Sequence, residues 1–367
     1  MKKIILVFGT RPEAIKMCPV ILELKKHKEY KTIVCLTGQH KEMLSQVMER
    51  FEIVEDYNLG VMSENQTLVQ ITSKVSTLFD DILEREKPDM VLVHGDTTTS
   101  FAAALTTFYR QIPVGHVEAG LRTYNMQSPF PEEFNRQAVD LVSSLFFAPT
   151  ENAKLKLIAE GKKDSQIFVT GNTVIDALKT TVQNDYESEL LDWVGQNKLV
   201  LLTAHRRENL GDPMREIFRA INRIVEENRN IRVIYPVHLN PKVQEIAQDI
   251  FKDNENVKLI NPLDVLDFHN LMKRSYLIMT DSGGIQEEAP AMGIPVLVLR
   301  NTTERPEGVE AGTLRLVGTK EEDIYNMTSA VLHDERLYQK MRCATNPYGD
   351  GYASLRIVQA LDFFFEK

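Results

Sequence analysis

The sequence predicts an α/β protein built from two doubly wound domains. Three observations carry that prediction. Short apolar, β-branched runs alternate with stretches of helical period along the whole chain. The strand-like runs fall into two series of six. And at 367 residues the chain exceeds the size at which one hydrophobic core normally stops growing.

The first series opens at residues 3–8, where Ile4-Ile5-Leu6-Val7-Phe8 is apolar at every position. Strands buried on both faces read this way, whereas half-exposed strands alternate. Similar runs follow at 32–36, 90–94, 114–117, 145–148 and 167–169. Between them, residues 14–24 and 68–83 place apolar side chains at helical spacing, as in Leu68, Ile71, Val75, Leu78, Phe79 and Ile82. The second series comprises 199–203, 232–236, 257–260, 277–280, 296–299 and 314–317, with a helix expected over 214–225. Alternation of this kind implies parallel sheets with helices on both faces. Residues 183–197 are polar and acidic and precede the second series. Gly171-Asn172-Thr173 follows a strand and starts the connecting helix. Domains are therefore expected at 1–170 and 171–350. Gly349 and Gly351 read as a hinge before a terminal helix at 351–367.

Composition narrows the partners. With 43 Lys and Arg against 52 Asp and Glu, the formal charge is −9, which opposes nucleic-acid binding. No apolar run approaches the roughly 20 residues of a membrane span, and the N-terminal apolar run is too short for a signal peptide. Three cysteines without metal-ligand spacing fit reduced thiols in a cytoplasm. A small anionic ligand would need a local cluster of cations.

In doubly wound sheets the ligand binds beyond the carboxyl ends of the strands. No G-x-G-x-x-G follows a strand, so a nicotinamide oxidoreductase is not expected, and there is no P-loop. The strongest phosphate signal is Thr280-Asp281-Ser282-Gly283-Gly284, where a strand ends in a glycine turn before a helix. Backbone N–H groups there can meet a diphosphate. Six residues after Ser282, Glu288 can project toward ribose hydroxyls. A capped tight turn is the plain alternative. Cations follow other strands: Arg11 and Lys16 after the first, His205, Arg206 and Arg207 after the first strand of the second series, and Arg305 after a later one. Each alone reads as a surface charge; their shared position at strand ends makes them a set.

Carboxylates gather in the first domain at Asp96, Glu118 and Glu132. Asp96 and Glu118 end successive strands and so share a rim. Clustered carboxylates raise one another's pKa, which suits proton transfer. Asp96 has a second possible role, capping the helix that starts at 97–100. The histidines form no compact ligand pattern, so no metal is expected. His205 suits hydrogen bonding to phosphate.

Several segments together resemble the bacterial non-hydrolysing UDP-N-acetylglucosamine 2-epimerases. They are Phe8-Gly9-Thr10-Arg11-Pro12-Glu13-Ala14-Ile15-Lys16, Val93-His94-Gly95-Asp96-Thr97, Gly115-His116-Val117-Glu118-Ala119-Gly120-Leu121-Arg122, Ala204-His205-Arg206-Arg207-Glu208, the stretches 281–290 and 302–307, and Asn346-Pro347-Tyr348-Gly349-Asp350-Gly351. The resemblance implies two Rossmann-like domains facing a central cleft, as in B-type glycosyltransferases, with the last helix returning to the first domain. It implies interconversion of UDP-N-acetylglucosamine and UDP-N-acetylmannosamine without a cofactor. By position, Arg11, Ser282, Gly283 and Gly284 would hold the diphosphate, Glu288 the ribose and Phe268 the uracil, with charge added by Lys16 and Arg305. Asp96, Glu118, Glu132 and His205 match the catalytic positions. One family nucleotide contact falls at Leu263, which cannot donate a hydrogen bond. Some relatives bind a second UDP-N-acetylglucosamine as activator. Here that site would use Gln39, Gln66, Arg206 and His238, with Glu132 between the ligands, while Glu42 and Asn65 stand where activated relatives can carry an amide and an arginine. A cytoplasmic homodimer supplying capsule or wall precursors is expected. Three rival readings of the sequence are a UDP-sugar glycosyltransferase, a hydrolysing epimerase and a non-catalytic UDP-sugar sensor.

Overall fold

A computed structural model describes residues 1–38, 41–63 and 66–366, with side chains throughout except at Lys41, Glu42, Met43 and Arg207. The chain forms two compact units, Met1–Thr180 with Tyr348–Lys367, and Thr181–Pro347. Each is a doubly wound α/β unit, the architecture expected from the two strand series.

The first unit holds β1 (Lys2–Phe8), β2 (Tyr30–Leu36), β3 (Tyr57–Asn58), β4 (Met90–His94), β5 (Val114–Val117), β6 (Leu145–Ala148) and β7 (Ile167–Val169) in the order β3-β2-β1-β4-β5-β6-β7. All the neighbours pair in parallel. The second unit holds β8 (Lys198–Thr203), β9 (Ile231–Pro236), β10 (Val257–Ile260), β11 (Leu277–Thr280), β12 (Val296–Val298) and β13 (Leu314–Leu316) in the order β10-β9-β8-β11-β12-β13, also parallel. In both sheets the order reverses direction beside the first strand, so loops leaving β1 and β4, or β8 and β11, diverge to opposite faces. That is the switch point where such sheets bind ligands.

The consecutive apolar strands are buried as their pattern requires. Ile4 to Phe8 are fully shielded, and Ile5, Val7, Val91 and Val93 pack with Phe79, Ile82 and Leu83 of the helix Leu68–Glu86. In the second unit Val200 and Leu202 pack with Met214, Ile217, Phe218 and Ile221 of the helix Asp212–Glu227.

The helix Thr173–Thr181 lies almost wholly in the first unit, beyond the Gly171 junction read from the sequence. Its Asp176 carboxylate accepts the Ala353 and Ser354 N–H groups at 3.1 and 2.8 Å, tying it to the first turn of the last helix, Ala353–Phe365. That last helix packs against the helix Arg11–Lys25 of the same unit.

Candidate functional site

In the first unit the chemistry gathers at the carboxyl ends of β1, β4 and β5. Since β4 and β5 are parallel neighbours, the loops carrying Asp96 and Glu118 leave the same edge of the sheet. Glu118 adopts a φ of +68°, a left-handed conformation that costs a non-glycine residue about 1–3 kcal/mol and concentrates at functional sites. The backbone holds it there: the Glu118 and Ala119 N–H groups both donate to the Phe147 carbonyl at 3.1 Å. Two residues on, Gly120 turns away at φ +84°, where a Cβ would lie 2.4 Å from the Ala153 carbonyl oxygen. Only glycine fits this turn.

The Glu118 carboxylate meets Lys16 Nζ and Asn172 Nδ2 on Oε1, the latter at 2.8 Å. On Oε2 it lies 3.7 Å from His94 Nε2. Burial pushes the His94 pKa down to about 3, so the imidazole is neutral near pH 7. Asp96 is gripped by Arg136, whose Nε lies at 3.1 Å and whose Nη2 binds the same carboxylate oxygen. Asn135 Nδ2 donates to the Asp96 carbonyl at 2.9 Å. Capping of the following helix falls to Thr97, whose hydroxyl accepts the Ser100 N–H at 3.0 Å. Asp96 does not serve as that cap.

Two buried carboxylates fix these loops. Glu13 reaches back from the first helix turn to accept the Gly9 and Thr10 N–H groups at 3.1 and 2.8 Å, and its other oxygen accepts Thr97 and Ser100 hydroxyls at 2.7 and 3.1 Å. It thus joins the β1 loop that carries Arg11 to the β4 loop that carries Asp96. Burial raises its pKa above the usual carboxylate range, against these hydrogen bonds. Asp140 accepts the Gly120 N–H at 3.2 Å and Arg122 Nη2 at 2.6 Å, and lies 2.6 Å from His116 Nδ1. His116 Nε2 lies 2.8 Å from the Gly95 carbonyl. Both ring nitrogens of His116 thus face oxygen atoms. Burial works to raise the Asp140 pKa, but His116 and Arg122 hold it below the usual range.

In the second unit the glycine turn follows β11. Asp281 is fully buried, and its Oδ2 accepts the His205 N–H, the Arg206 N–H and Asn209 Nδ2 at 2.9, 2.9 and 3.0 Å. One carboxylate therefore binds the β8 loop to the β11 loop. His205 Nδ1 sits 3.4 Å from Asp281 Oδ1, and its ring stacks on His238 at 5.5 Å between centroids. Burial lowers the His205 pKa, with Asp281 opposing and His238 and Arg206 adding to the drop. Arg305 reaches over the glycine turn, bonding Glu287 through Nε at 2.5 Å and Glu304 through Nη1 at 2.8 Å. Burial works to raise the Glu304 pKa, but Arg305, Arg300 and Arg206 bring it to about 2. No side chain caps the helix Ile285–Ala291 that follows Gly284. The backbone closes that turn itself: the Gln286 N–H donates to the Gly283 carbonyl at 3.2 Å, and the Glu287 and Glu288 N–H groups donate to the Gly284 carbonyl at 2.9 and 3.1 Å. Glu288 Oε2 lies 3.3 Å from His269 Nε2, and the other nitrogen of that ring lies 2.7 Å from the Thr181 hydroxyl.

The family model described as UDP-N-acetylglucosamine 2-epimerase matches residues 22–362. The chain belongs to the UDP-N-acetylglucosamine 2-epimerase family. It is 58% identical to the Bacillus subtilis UDP-N-acetylglucosamine 2-epimerase over 99% of this chain and 96% of that one. The S. aureus MnaA–UDP co-structure is 54% identical with a TM-score of 0.91, covering 100% of this chain and 97% of that one. The Neisseria meningitidis UDP-GlcNAc 2-epimerase bound to UDP-GlcNAc is 48% identical with a TM-score of 0.89, covering 98% and 100%.

Within this epimerase-family chain, the described candidate residues divide between the two units. Asp96, Glu118 and Glu132 all lie in the first unit, Glu132 as the first residue of the helix Glu132–Val142. Its neighbour Glu133 is structural: buried, it accepts the Thr123 and Tyr124 N–H groups at 3.0 and 2.9 Å. Lys16, expected among the diphosphate cations, is placed on Glu118. Arg11 shares that unit. His205, Phe268, Ser282, Gly283, Gly284, Glu288 and Arg305 belong to the second unit, where Phe268 and Leu263 pack partly buried on one core cluster. Of the effector candidates, Gln39 and Asn65 lie outside the described residues, as does the Glu42 side chain. Gln66 spends its amide on the backbone of Ser63 and Val61, both at 2.8 Å. Arg206 binds the Asp281 carbonyl at 2.9 Å and Glu304 at 3.1 Å, and His238 accepts the Asn240 N–H at 3.1 Å.

Sequence reasoning missed Asp281, Arg136 and Asn172 as organisers. Glu13 had a readable signal, the capping box Thr10-x-x-Glu13. Among the described residues, no group of three or more His, Cys, Asp or Glu side chains is placed to hold a metal ion.

Proposed function

We propose that the chain interconverts UDP-N-acetylglucosamine and UDP-N-acetylmannosamine by eliminating and re-adding UDP, as a step toward surface polysaccharide precursors. The observation that carries this reading is Glu118, a carboxylate held in a strained turn beside a lysine and a neutral histidine.

The C2 hydrogen of the sugar is not acidic, because no carbonyl adjoins it. Breaking the bond from C1 to the diphosphate oxygen sends its electron pair out with UDP and leaves an electron-poor C1. A base then removes the C2 proton, and the freed pair forms the 1,2 double bond. Delivery of a proton to C2 from the opposite face, with return of the UDP oxygen to C1, yields the epimer. The step needs a site that stabilises negative charge on departing UDP and acid–base groups around C2. Ser282, Gly283, Gly284, Arg305 and Arg11 suit the first task, with His205 hydrogen bonding to the diphosphate. Asp96, Glu118 and Glu132 suit the second, and Glu288 and Phe268 suit the ribose and uracil.

Turnover in deuterated water tests the chemistry. One deuterium at C2 of the product, without added nicotinamide, is the expected result. Product retaining its original C2 hydrogen would sink the elimination route. Free N-acetylmannosamine would mark a hydrolysing enzyme instead, and unchanged substrate a transferase or sensor.

A cytoplasmic homodimer completes the proposal. No helix among the described residues is long and apolar enough to cross a membrane. Exposed Phe108, Tyr109 and Leu141 lie on the mutually packed helices Thr98–Tyr109 and Glu132–Val142, an apolar surface suited to a second copy.

A further inference from the structure

Asn172 lies between β7 and the helix Thr173–Thr181 and is almost completely buried. Its backbone N–H donates to the Tyr348 carbonyl at 2.7 Å, and its side-chain Oδ1 accepts the Val174 N–H at 3.1 Å. Because Oδ1 is fixed as an acceptor, the amide nitrogen must point the other way, toward Glu118 Oε1 at 2.8 Å. The Tyr348 carbonyl thus holds the Asn172 backbone and the Val174 N–H orients its carboxamide before it meets the carboxylate. Lys16 binds the same carboxylate oxygen from the helix Arg11–Lys25. Two donors on Oε1, one of them cationic, fix the carboxylate rotamer and favour the ionised form.

We propose that Asn172 is a positioning residue for Glu118: it locks the carboxylate in one orientation and, with Lys16, holds it ionised as a proton acceptor. The proposal rests on the reading of Glu118 as a proton-transferring group. Among the described residues, the titratable and charged groups around Glu118 include Lys16 from the first helix, His94 at the end of β4, and His116 on β5, two residues before it. Asp96 with its partner Arg136 follows on the β4 loop. Of these, His94 is buried and neutral, Lys16 is the cation in contact, and His116 is committed to Asp140 and the Gly95 carbonyl.

The test uses the full-length enzyme with Asn172→Ala and Asn172→Asp, measuring kcat and KM for UDP-N-acetylglucosamine, the pH profile of kcat, and UDP affinity by calorimetry. Asn172→Ala lowers kcat on the order of 10- to 100-fold, the scale of a misplaced reacting group. KM and UDP affinity stay within about threefold, because a group acting only in the transition state does not alter ground-state binding. Asn172→Asp keeps the Val174 acceptor but sets a second carboxylate against Glu118, so the acidic limb of the profile moves up by about one pH unit or more. A role confined to folding would not move that limb. An Asn172→Ala enzyme with wild-type kcat overturns the proposal, as does a fall in UDP affinity that parallels kcat. An Asn172→Asp enzyme with an unmoved profile overturns it even where Asn172→Ala fails to fold. Wild-type enzyme that exchanges no C2 hydrogen is a separate outcome, and it overturns the reading of Glu118 beneath the proposal.

Discussion

Replacing Gly283 with alanine isolates the anion-binding turn. The added Cβ would stand 2.7 Å from Arg305 Nη1, 3.0 Å from its Cζ and 2.8 Å from Glu304 Oε1. Carbon–nitrogen contact normally begins near 3.5 Å, so the guanidinium must retreat by several tenths of an ångström. The backbone at Gly283 needs no change, since its φ is not in the left-handed region. Arg305 is mostly buried against Glu287 and Glu304, and its retreat weakens those bonds, at a cost of about 1–3 kcal/mol in the second unit. The larger effect falls on UDP. A charge-assisted hydrogen bond is worth about 1.5–3 kcal/mol, so losing the one offered by Arg305 raises the Kd of UDP roughly 10- to 150-fold. Calorimetric titration of UDP into the folded variant measures this directly, with a thermal melt as control. A variant that melts within a few degrees of wild type yet binds UDP with unchanged Kd would refute the placement of diphosphate at this turn.

Glu118→Gln and Asp96→Asn each lower turnover by about 10²-fold or more and leave UDP affinity largely intact, because Ser282, Gly283, Gly284 and Arg305 belong to the other unit; steady-state kinetics beside UDP calorimetry checks both. His94 gives a pH signature in stability. Its folded pKa is depressed to about 3 against 6.5 when exposed, so above pH 6.5 neither state binds the proton, and as pH falls from 6.5 toward 3 the unfolded chain gains it first. The native state therefore loses about 1.4 kcal/mol per pH unit in that window, about 2 kcal/mol by pH 5. His94→Gln should remove this slope, and urea unfolding at pH 7 and pH 5 shows whether the gap between variant and wild type closes. Activation by a second UDP-N-acetylglucosamine should be weak or absent, given the carboxylate at Glu42 and the missing cation at Asn65. Starting from pure UDP-N-acetylmannosamine, a linear onset agrees, and a long lag abolished by a trace of UDP-N-acetylglucosamine contradicts it.

The sequence by itself located the twelve longer strands, because consecutive apolar residues and the switch to helical spacing are short-range signals that survive without tertiary context. It also marked the strand-end loops, since in a doubly wound unit those loops point to the ligand whatever the strand order. The two-residue β3 (Tyr57–Asn58) escaped, being too short to show a period; it exists only because β2 offers an edge to pair with. Which groups meet was decided by the tertiary structure. Lys16, Glu118 and Asn172 are separated by 102 and 54 residues, and nothing local joins them; the strand order brings the ends of β1, β5 and β7 to one edge of one sheet. Asp281 anchors His205 and Arg206 across 76 and 75 residues because β8 and β11 are neighbours. A buried carboxylate must find donors wherever the fold supplies them. Those donors come from strands adjacent in space, and adjacency in a wound sheet is not written in local spacing.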